Sequence, residues 1–390
     1  MGPQSSQLVS EEAPQPQRAV RLLLDARKLG DGGIGVYIEN LIHGLLEIGG
    51  VEIALLAKPG ANLQFEMPEQ VSWLFDQSPC YSLDELFLLG RRLELSSYDL
   101  FHTPHYMLPF GISIPSVVTV HDLIHIERPE RFYYPWIARR LISSAVKRAH
   151  AVITVSNHTR QAVLASTAVS ERKVSHIPNA IAPFLLDAPT ALALPASMLG
   201  SGAFFLAIFS NIKPHKGLRD LLLAYRGFRE QHLWRRITAT CPNLVLAGFG
   251  AEQIATNPAL SALIEEIGGI TVLGAVSSKE LSALYRKASA LVVPSLLEGF
   301  CLPALEAQAS GALVVCRPVG ALQELVTERD IVAEDLSIEA LQRALKLGLQ
   351  RSLTTEITFD TKHLERYSRG AVARKVLDLY QTVLSAGGAR

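Results

Sequence analysis

Apolar and polar positions follow one another along the chain in a pattern that occurs twice. Each time, a short apolar run is followed by a glycine-rich or polar loop and then by apolar residues at helical spacing. A strand, a loop and a helix in this order form the first half of a βαβ unit, so we predict two such units. The segments are Arg18–Asp25, Gly30–Gly35 and Val36–Leu46 in the first copy, and Gly202–Phe209, Ser210–Gly217 and Leu218–Phe228 in the second.

Six more segments have the composition of buried parallel strands. They are short, rich in Val, Ile and Leu, and most alternate with helical stretches. These segments are Ser116–Val120, Ala151–Val155, Asn243–Ala247, Gly269–Leu273, Ala290–Pro294 and Ala312–Cys316. We therefore predict an α/β protein with two Rossmann-like, doubly wound domains that face a central cleft, where such folds bind their ligands.

Composition sets the expected domain boundaries. Residues 1–17 are polar and contain three prolines, which indicates a disordered leader. A stretch with four prolines and many alanines contains the linker, which we place at residues 186–200. The N-terminal Rossmann-like domain is then residues 18–185 and the C-terminal one residues 201–365. Residues 366–390 are expected to form a helix that returns to the N-terminal domain.

The charge balance limits the classes of partner. The 390-residue chain has 37 Lys and Arg against 37 Asp and Glu, so its formal net charge is zero. A nucleic-acid platform needs a strongly basic face, so nucleic acid is not an expected partner. No apolar run reaches the roughly 18–20 residues of a membrane span. Four widely spaced cysteines and an N-terminal segment without the pattern of a secretory signal predict a cytoplasmic protein.

The segment Ala290–Cys316 carries the strongest chemical signal. Its strand leads into a loop with Glu298, Pro303 fits the first position of the next helix, and Gly311 suits its end. Amides at a helix start favour an anion, and the carboxylates of Glu298 and Glu306 can accept hydrogen bonds from ligand hydroxyls. Taken singly, each Glu is equally well explained as a helix-capping or solvated residue.

The residues EGFCLPALEAQASGALVV in this segment resemble the E-x7-E signature of retaining glycosyltransferases of the GT-B fold, family 4. The resemblance implies that Glu298 contacts the transferred sugar and Glu306 the ribose of a nucleotide-sugar donor. Family members often have glycine at the position of Cys301, whose side chain here occupies space. The backbone amides implied to lie near the sugar and phosphates are those of Gly299, Phe300, Cys301 and Leu302.

The loop Ser210–Gly217 places Lys213, His215 and Lys216 in front of a helix. Cations there suit a diphosphate, whose charge must be balanced when it leaves, although surface lysines are equally common in such loops. The loop resembles the phosphate-binding loop of the same family, in which an Arg and a Lys hold the diphosphate. The resemblance implies that Lys216 is the family lysine and that Asn211 stands near the arginine position, with Lys213 supplying its charge.

The stretch GDGGIG contains Gly32, Gly33 and Gly35. It does not match the dinucleotide motif and no suitably spaced acid follows, so NAD is not expected, and the chain has no P-loop motif. The glycines allow a ligand to approach the backbone closely, and a tight turn explains them as well. In the family that the chain resembles, this loop faces the donor phosphates and the acceptor, which implies donor contacts at Gly33 and Gly35.

Two pairs of histidines, His102 with His105 and His121 with His125, follow or end apolar strands. They lack the helical spacing of a zinc site, so no metal cofactor is expected. The segment SVVTVHDL resembles that of family-4 bacterial mannosyltransferases, in which the histidine contacts the transferred sugar. The resemblance implies this role for His121, and a buried structural histidine is the alternative.

The segment Pro135–Ala149 is predicted to be an amphipathic helix. Its basic stripe lies opposite an apolar face formed by Trp136, Ile137, Leu141 and Val146. One interpretation is a helix that rests on an anionic membrane near a lipid-linked acceptor. The other is the solvated side of a helix packed on a sheet.

The resemblance covers nearly the whole chain beyond the leader. It implies a retaining transferase that moves a hexose from a nucleotide-sugar donor to a saccharide or lipid-linked acceptor, with mannose from GDP-mannose as the first expectation and glucose as the second. The implied catalytic residues are His121, Glu298 and Lys216, with front-face departure of the diphosphate and no metal. The alternatives are a nucleotide-sugar epimerase of the same fold and a non-catalytic glycan-binding subunit.

Overall fold

The structure is a computed structural model that describes residues 18–60, 70–182, 203–235, 241–354 and 361–387. The predicted leader, residues 1–17, and the predicted linker, residues 186–200, lie outside this part of the chain. The described residues form two parallel β-sheets with helices on both faces, and a cleft separates the two sheets.

The N-terminal sheet has seven strands. They are β1 (Val20–Asp25), β2 (Val51–Ala57), β3 (Ser72–Phe75), β4 (Leu100–Thr103), β5 (Ser116–Val120), β6 (Ala151–Thr154) and β7 (Val174–His176). All pairings are parallel, in the order β3-β2-β1-β4-β5-β6-β7. On β1, Leu24 pairs with Leu55 on one side and with His102 on the other, so the strand order reverses between β1 and β4.

The C-terminal sheet repeats this arrangement with six strands. They are β8 (Phe204–Ile208), β9 (Asn243–Ala247), β10 (Ile270–Val272), β11 (Ala290–Val293), β12 (Val314–Cys316) and β13 (Ile331–Val332). The order β10-β9-β8-β11-β12-β13 is again parallel and reverses between β8 and β11. The predicted doubly wound fold is thereby confirmed. In such sheets, ligands bind outside the carboxyl ends of the strands, at the point where the strand order reverses.

Fourteen α-helices in the described ranges cover the two sheets. In the N-terminal half they are α1 (Gly32–Ile48), α2 (Gly90–Arg92), α3 (Ile124–Glu127), α4 (Tyr134–Arg148) and α5 (Asn157–Ser166). In the C-terminal half they are α6 (Leu218–Arg235), α7 (Ala251–Ala255), α8 (Pro258–Ile267), α9 (Ser278–Lys287), α10 (Leu302–Ala309), α11 (Leu322–Leu325), α12 (Ile338–Thr354), α13 (Thr361–Glu365) and α14 (Arg369–Gly387).

The last helix, α14, packs against α1 of the N-terminal domain. Its Tyr380 is fully buried, and its hydroxyl lies 2.6 Å from Nδ1 of His102 on β4. Arg369 at the start of α14 donates hydrogen bonds to the side-chain oxygen of Asn40 and to Glu47, both on α1. The end of the chain is therefore part of the N-terminal core, although its sequence follows the C-terminal sheet.

The boundaries of some elements differ from those predicted from the sequence. Helix α1 begins at Gly32, so most of the predicted glycine loop is the first turn of the helix. Strand β2 is not distinguished in the sequence because its apolar run follows the apolar face of α1 after only Gly49–Gly50. Strand β4 is only four residues long and contains His102, so its apolar signal is weak.

Candidate active site

The cleft between the two sheets has a volume of about 670 Å³, which is within the range for sites that bind small molecules. It lies at the carboxyl ends of strands from both sheets, where the strand orders reverse. The predicted site residues that line it are Gly33, His121, Asn211, Lys213, Lys216, Glu298, Gly299, Phe300, Cys301, Leu302 and Glu306.

Lys216 and Glu298 form an ion pair at the centre of this cleft. The Nζ of Lys216 lies 2.8 Å from Oε1 of Glu298, and the hydroxyl of Ser295 donates to the same oxygen at 2.6 Å. Burial lowers the pKa of Lys216, but the charge of Glu298 and its hydrogen bond outweigh this effect, so the pKa is raised. Lys216 therefore stays charged and is held in place beside a carboxylate.

Two backbone features hold the loop Ser210–Gly217, which contains Lys216, against the loop that contains Glu298. The amide of Leu296 donates to the carbonyl oxygen of His215 at 2.7 Å. Gly217 ends the turn Pro214–Lys216 with a φ of 73°, and a Cβ there would lie 2.2 Å from the carbonyl oxygen of Pro294. Because only glycine fits both requirements, the loop delivers Lys216 to Glu298 in one orientation.

The start of helix α10 forms the adjacent wall. Pro303 is the second residue of the helix, one position later than predicted, and Gly311 follows its end with a φ of 82°, as the sequence predicted. Cys301, just before the helix, has a φ of 82°, a conformation that suits glycine better. The aromatic ring of Phe300 points away from solvent and packs against Tyr367, so it is the backbone here that borders the cleft.

Glu306 lies one to two turns into helix α10. Its Oε2 accepts a hydrogen bond from the hydroxyl of Tyr285 at 2.7 Å. Burial raises the pKa of Glu306, and this hydrogen bond acts in the opposite direction. The carboxylate is thus oriented by a buried tyrosine on α9, a partner that no sequence pattern indicated.

His121 faces this wall from the end of β5. Its Nε2 lies 3.0 Å from the carbonyl oxygen of Pro104, and the edge of its ring packs on Tyr37 at a centroid distance of 4.9 Å. Burial lowers the pKa of His121 to about 4, so the ring is neutral near pH 7. Because a carbonyl only accepts, Nε2 carries the proton and Nδ1 has a free lone pair.

Gly299 brings the two walls into direct contact. A Cβ on this residue would lie 2.3 Å from the carbonyl oxygen of His121 and 2.7 Å from Cβ of Asp122. Such distances are below any real Cβ contact, so a side chain at this position would force the domains apart. Asp122, which follows His121 after the same strand, also borders the cleft, and its Oδ1 accepts from the amide of Ile124 at 3.0 Å.

Two polar bridges also join the domains. Nζ of Lys213 lies 2.7 Å from Oε1 of Glu130, a residue of the N-terminal domain. Glu324 on α11 accepts hydrogen bonds from the backbone amides of Asn157 and His158 at 2.9 and 2.6 Å, and so caps helix α5 across the domain boundary. The two walls of the cleft are therefore held together by one ion pair and one helix cap as well as by the Gly299 contact.

Two predicted donor contacts have other partners. Gly35 does not line the cleft, because it lies inside α1 and a Cβ there would lie 2.7 Å from the amide nitrogen of Gly30. The lack of a side chain at Gly35 is required for this packing, and the donor contact there stays a prediction. Asn211 lines the cleft, but its Oδ1 accepts from the amide of Lys213 at 3.2 Å, so it shapes the loop.

One group of side chains in the described ranges has the spacing of a metal site. Oxygen atoms of Asp25 and Glu85 lie within 4.8 Å of a His105 nitrogen. Arg27, however, places one guanidinium nitrogen 2.6 Å from each of the two carboxylates. The donor set is therefore already satisfied by an arginine and fits a buried ion network better than a cation site.

Helix α4 differs from its prediction. Trp136 and Ile137, assigned to the apolar packed face, are 62% and 42% exposed. The face that packs on the sheet is formed by Ala138, Ile142, Ala145 and Val146, of which only Val146 was predicted. Among the described residues, no helix combines the length and the apolarity that a membrane crossing requires.

Comparison with known families assigns both halves of the chain. Residues 31–183 match the family "Glycosyltransferase Family 4", and residues 197–359 match "Glycosyl transferases group 1". The chain is a family-4-like glycosyltransferase of the GT-B fold. The sequence resemblance based on Glu298 and Glu306 is thereby confirmed at the level of the family.

Curated relatives of this glycosyltransferase include two mannosyltransferases. It is 27% identical to O-antigen chain mannosyltransferase B of Escherichia coli, over 66% of this chain and 67% of the relative. It is 24% identical to O-antigen chain mannosyltransferase RfbU of Salmonella typhimurium, over 83% and 90%. Among solved structures, Anabaena Alr3699/HepE in complex with UDP and glucose superposes with a TM-score of 0.72 at 17% identity, over 93% and 99% of the chains, which shows the shared fold.

Proposed function

We propose that this glycosyltransferase transfers mannose from GDP-mannose, with retention of configuration, to a saccharide or lipid-linked acceptor. The observation that carries the proposal is the Lys216–Glu298 pair in a cleft whose opposite wall is His121. The mannosyltransferases among its relatives support the choice of sugar. Glucose is the second candidate, since a structural neighbour was solved with UDP and glucose.

The charges of the cleft fit a nucleotide-sugar that is bound in one orientation. The diphosphate would lie at Lys216 and the amides that start α10, where positive charge is concentrated. Glu306, oriented by Tyr285, would accept hydrogen bonds from the ribose. Glu298 would accept them from the sugar once Lys216 has turned to the phosphate. In this pose the sugar lies between Glu298 and His121.

The chemistry we propose is departure and attack on the same face of the sugar. The bond between the anomeric carbon and the diphosphate oxygen breaks, and its electron pair leaves with the diphosphate, whose charge Lys216 balances. The acceptor oxygen bonds to the anomeric carbon, and its proton passes to the departing phosphate. Neutral His121 would bind the sugar without placing a like charge beside the developing cation.

Lysine charge and helix amides can together balance the diphosphate, so we propose that transfer needs no divalent cation. Lys213 forms an ion pair with Glu130 in this structure, and breaking that pair would make the charge of Lys213 available to the phosphates. Unchanged activity in EDTA supports this proposal, and strict dependence on Mg²⁺ or Mn²⁺ contradicts it.

The test of the function is transfer of labelled mannose by the purified full-length chain and its variants. Lys216→Ala removes the charge that balances the leaving group, and Glu298→Gln removes the carboxylate beside the sugar. We expect each to reduce kcat/KM at least about 100-fold. Lys279→Ala, an exposed lysine on α9, is the matched control and keeps the wild-type rate. Near-normal transfer by Lys216→Ala refutes the assignment.

We also propose that the glycosyltransferase contacts an anionic membrane through the start of α4. Phe132 and Trp136 are 93% and 62% exposed, and Arg140 stacks on Trp136 at 4.3 Å. Exposed aromatic rings beside arginines are typical of surfaces that insert at a lipid headgroup boundary. Tyr134 packs on His125, a residue of the cleft, so this surface adjoins the cleft mouth.

Vesicle sedimentation tests this contact. The wild-type chain should sediment with phosphatidylglycerol vesicles and much less with phosphatidylcholine vesicles. The double variant Phe132→Ser with Trp136→Ser should remain in the supernatant, whereas Phe75→Ser, an exposed aromatic residue on β3, should behave as wild type. Equal sedimentation of the double variant and the wild type contradicts the proposal.

A further inference from the structure

The N-terminal wall of the cleft carries two tyrosines that the donor site does not use. The rings of Tyr81 and Tyr106 lie 5.2 Å apart at an angle of 41°, and both side chains line the cleft. Tyr81 is 39% exposed. An exposed aromatic face in a cleft is a surface on which the apolar C–H face of a sugar ring can pack.

Tyr81 is held in a conformation that tyrosine rarely adopts. Its φ is 65°, and among the described residues only Cys301 is another non-glycine with a positive φ. This left-handed conformation costs free energy, and residues of this kind concentrate at sites that bind ligands. The backbone amide of Tyr81 is fixed by a hydrogen bond to Oε2 of Glu85.

A buried ion network stands behind this conformation. Arg27 joins Glu85 to Asp25, and all three side chains are fully buried. Nδ1 of His105 accepts from the amide of Met107 at 3.3 Å, so its Nε2–H points toward the two carboxylates, 3.4 Å away. The ring of His105 lies 5.3 Å from that of Tyr81. The network thus fixes the backbone of Tyr81 through Glu85 and packs against its ring through His105.

The surroundings of the rings favour an uncharged ligand. Nζ of Lys28 lies 5.2 Å from the centre of the Tyr81 ring, but it already forms an ion pair with Asp31. Burial raises the pKa of Tyr81 and of Tyr106, and the negative charge of Asp122, which lines the same cleft, adds to the effect at both. In the described residues, Oδ1 of Asp122 accepts from Ile124, and no donor to Oδ2 is found.

From these contacts we propose that Tyr81 and Tyr106 form the acceptor subsite, which binds an uncharged hexopyranose ring by stacking. Asp122 would accept a hydrogen bond from a hydroxyl of that ring at the boundary with the donor site. The inference rests on the proposed transferase function, since it assigns the acceptor side of the same reaction. It makes Tyr81 a residue that determines which acceptors are used.

Saturation-transfer NMR on the full-length chain tests the subsite with methyl α-mannopyranoside as the probe and without nucleotide. With the wild type and with Tyr81→Phe, saturation should transfer from the protein to the ring C–H protons of the probe. Tyr81→Gly keeps the backbone conformation accessible but removes the ring, and should weaken binding at least tenfold. Phe75→Ala, which removes an exposed ring outside the cleft, is the control.

Equal binding by Tyr81→Gly, or no saturation with the wild type, overturns the proposal. Calorimetry with GDP on the same samples separates the two proposals. Tyr81→Gly should keep the GDP affinity within about twofold, whereas a wild-type chain that binds the mannoside but no nucleoside diphosphate would refute the transferase function and not the subsite.

Discussion

Replacing Gly299 with alanine tests whether the cleft works only when the two domains touch. The new Cβ would lie 2.3 Å from the carbonyl oxygen of His121, so the two walls must separate by roughly 1 Å to reach ordinary contact. The loop that contains Glu298 cannot move away from the contact, because its other side is packed against Gly320 and Ala321. A Cβ on Gly320 would lie 2.3 Å from the carbonyl oxygen of Glu298, and the amide of Ala321 donates a hydrogen bond to the same oxygen.

The expected cost follows from this geometry. Overpacking by one methyl group costs about 1–3 kcal/mol, and about 1.4 kcal/mol corresponds to a tenfold change in rate. If the closed cleft is the reactive form, Gly299→Ala should reduce kcat/KM for transfer by roughly 5- to 150-fold. Opening the domains relieves the clash without disturbing either sheet, so far-UV circular dichroism should stay unchanged.

The assay compares transfer rates and nucleotide affinity in three proteins. Gly370→Ala is the matched control, because its Cβ meets nothing within 4 Å and its φ is not positive. We expect the control to match the wild type and Gly299→Ala to lose transfer while keeping GDP affinity within a few-fold. A Gly299→Ala protein that transfers at the wild-type rate would refute the reasoning that domain contact at His121 is required.

Two further predictions concern the Glu324 bridge between the domains and the stability of the chain at acid pH. Glu324→Ala removes the cap of α5 across the domain boundary and should lower kcat/KM about threefold to tenfold, measured against Glu339→Ala as control. His102 and His121 have pKa values lowered by burial to about 3 and about 4, so the unfolded chain takes up protons first as pH falls. The free energy of unfolding should therefore decrease from about pH 6.5 to pH 4 by roughly 3 kcal/mol or more in denaturant titrations, and a flat profile would contradict the buried neutral state.

The doubly wound fold could be predicted because its strands are apolar runs separated by helices. Strands β5 and β9 lie at their predicted positions, and Glu298 and Lys216 could be located because each stands in the loop that follows such a run. Parallel strands present their carboxyl ends at one edge, so sequence position was enough to bring these residues to the same cleft.

The contacts between domains could not be predicted in this way. The Glu324 cap and the Lys213–Glu130 pair join residues that are distant in sequence, and they depend on how two rigid sheets are oriented. The exposed side of α4 was misassigned for a related reason, because helical spacing gives two faces but not which of them meets the sheet. The left-handed conformation of Tyr81 has no sequence signal at all, since tyrosine disfavours it.

Calorimetric titration of the full-length chain with GDP, UDP and ADP tests whether the cleft is a nucleotide-sugar donor site. We expect that one GDP binds per chain, more tightly than UDP or ADP. We also expect that Lys216→Ala and Glu306→Ala each weaken binding at least tenfold, because one removes a diphosphate partner and the other a ribose partner. No binding of any of the three nucleotides, or GDP binding that neither variant changes, would contradict the account.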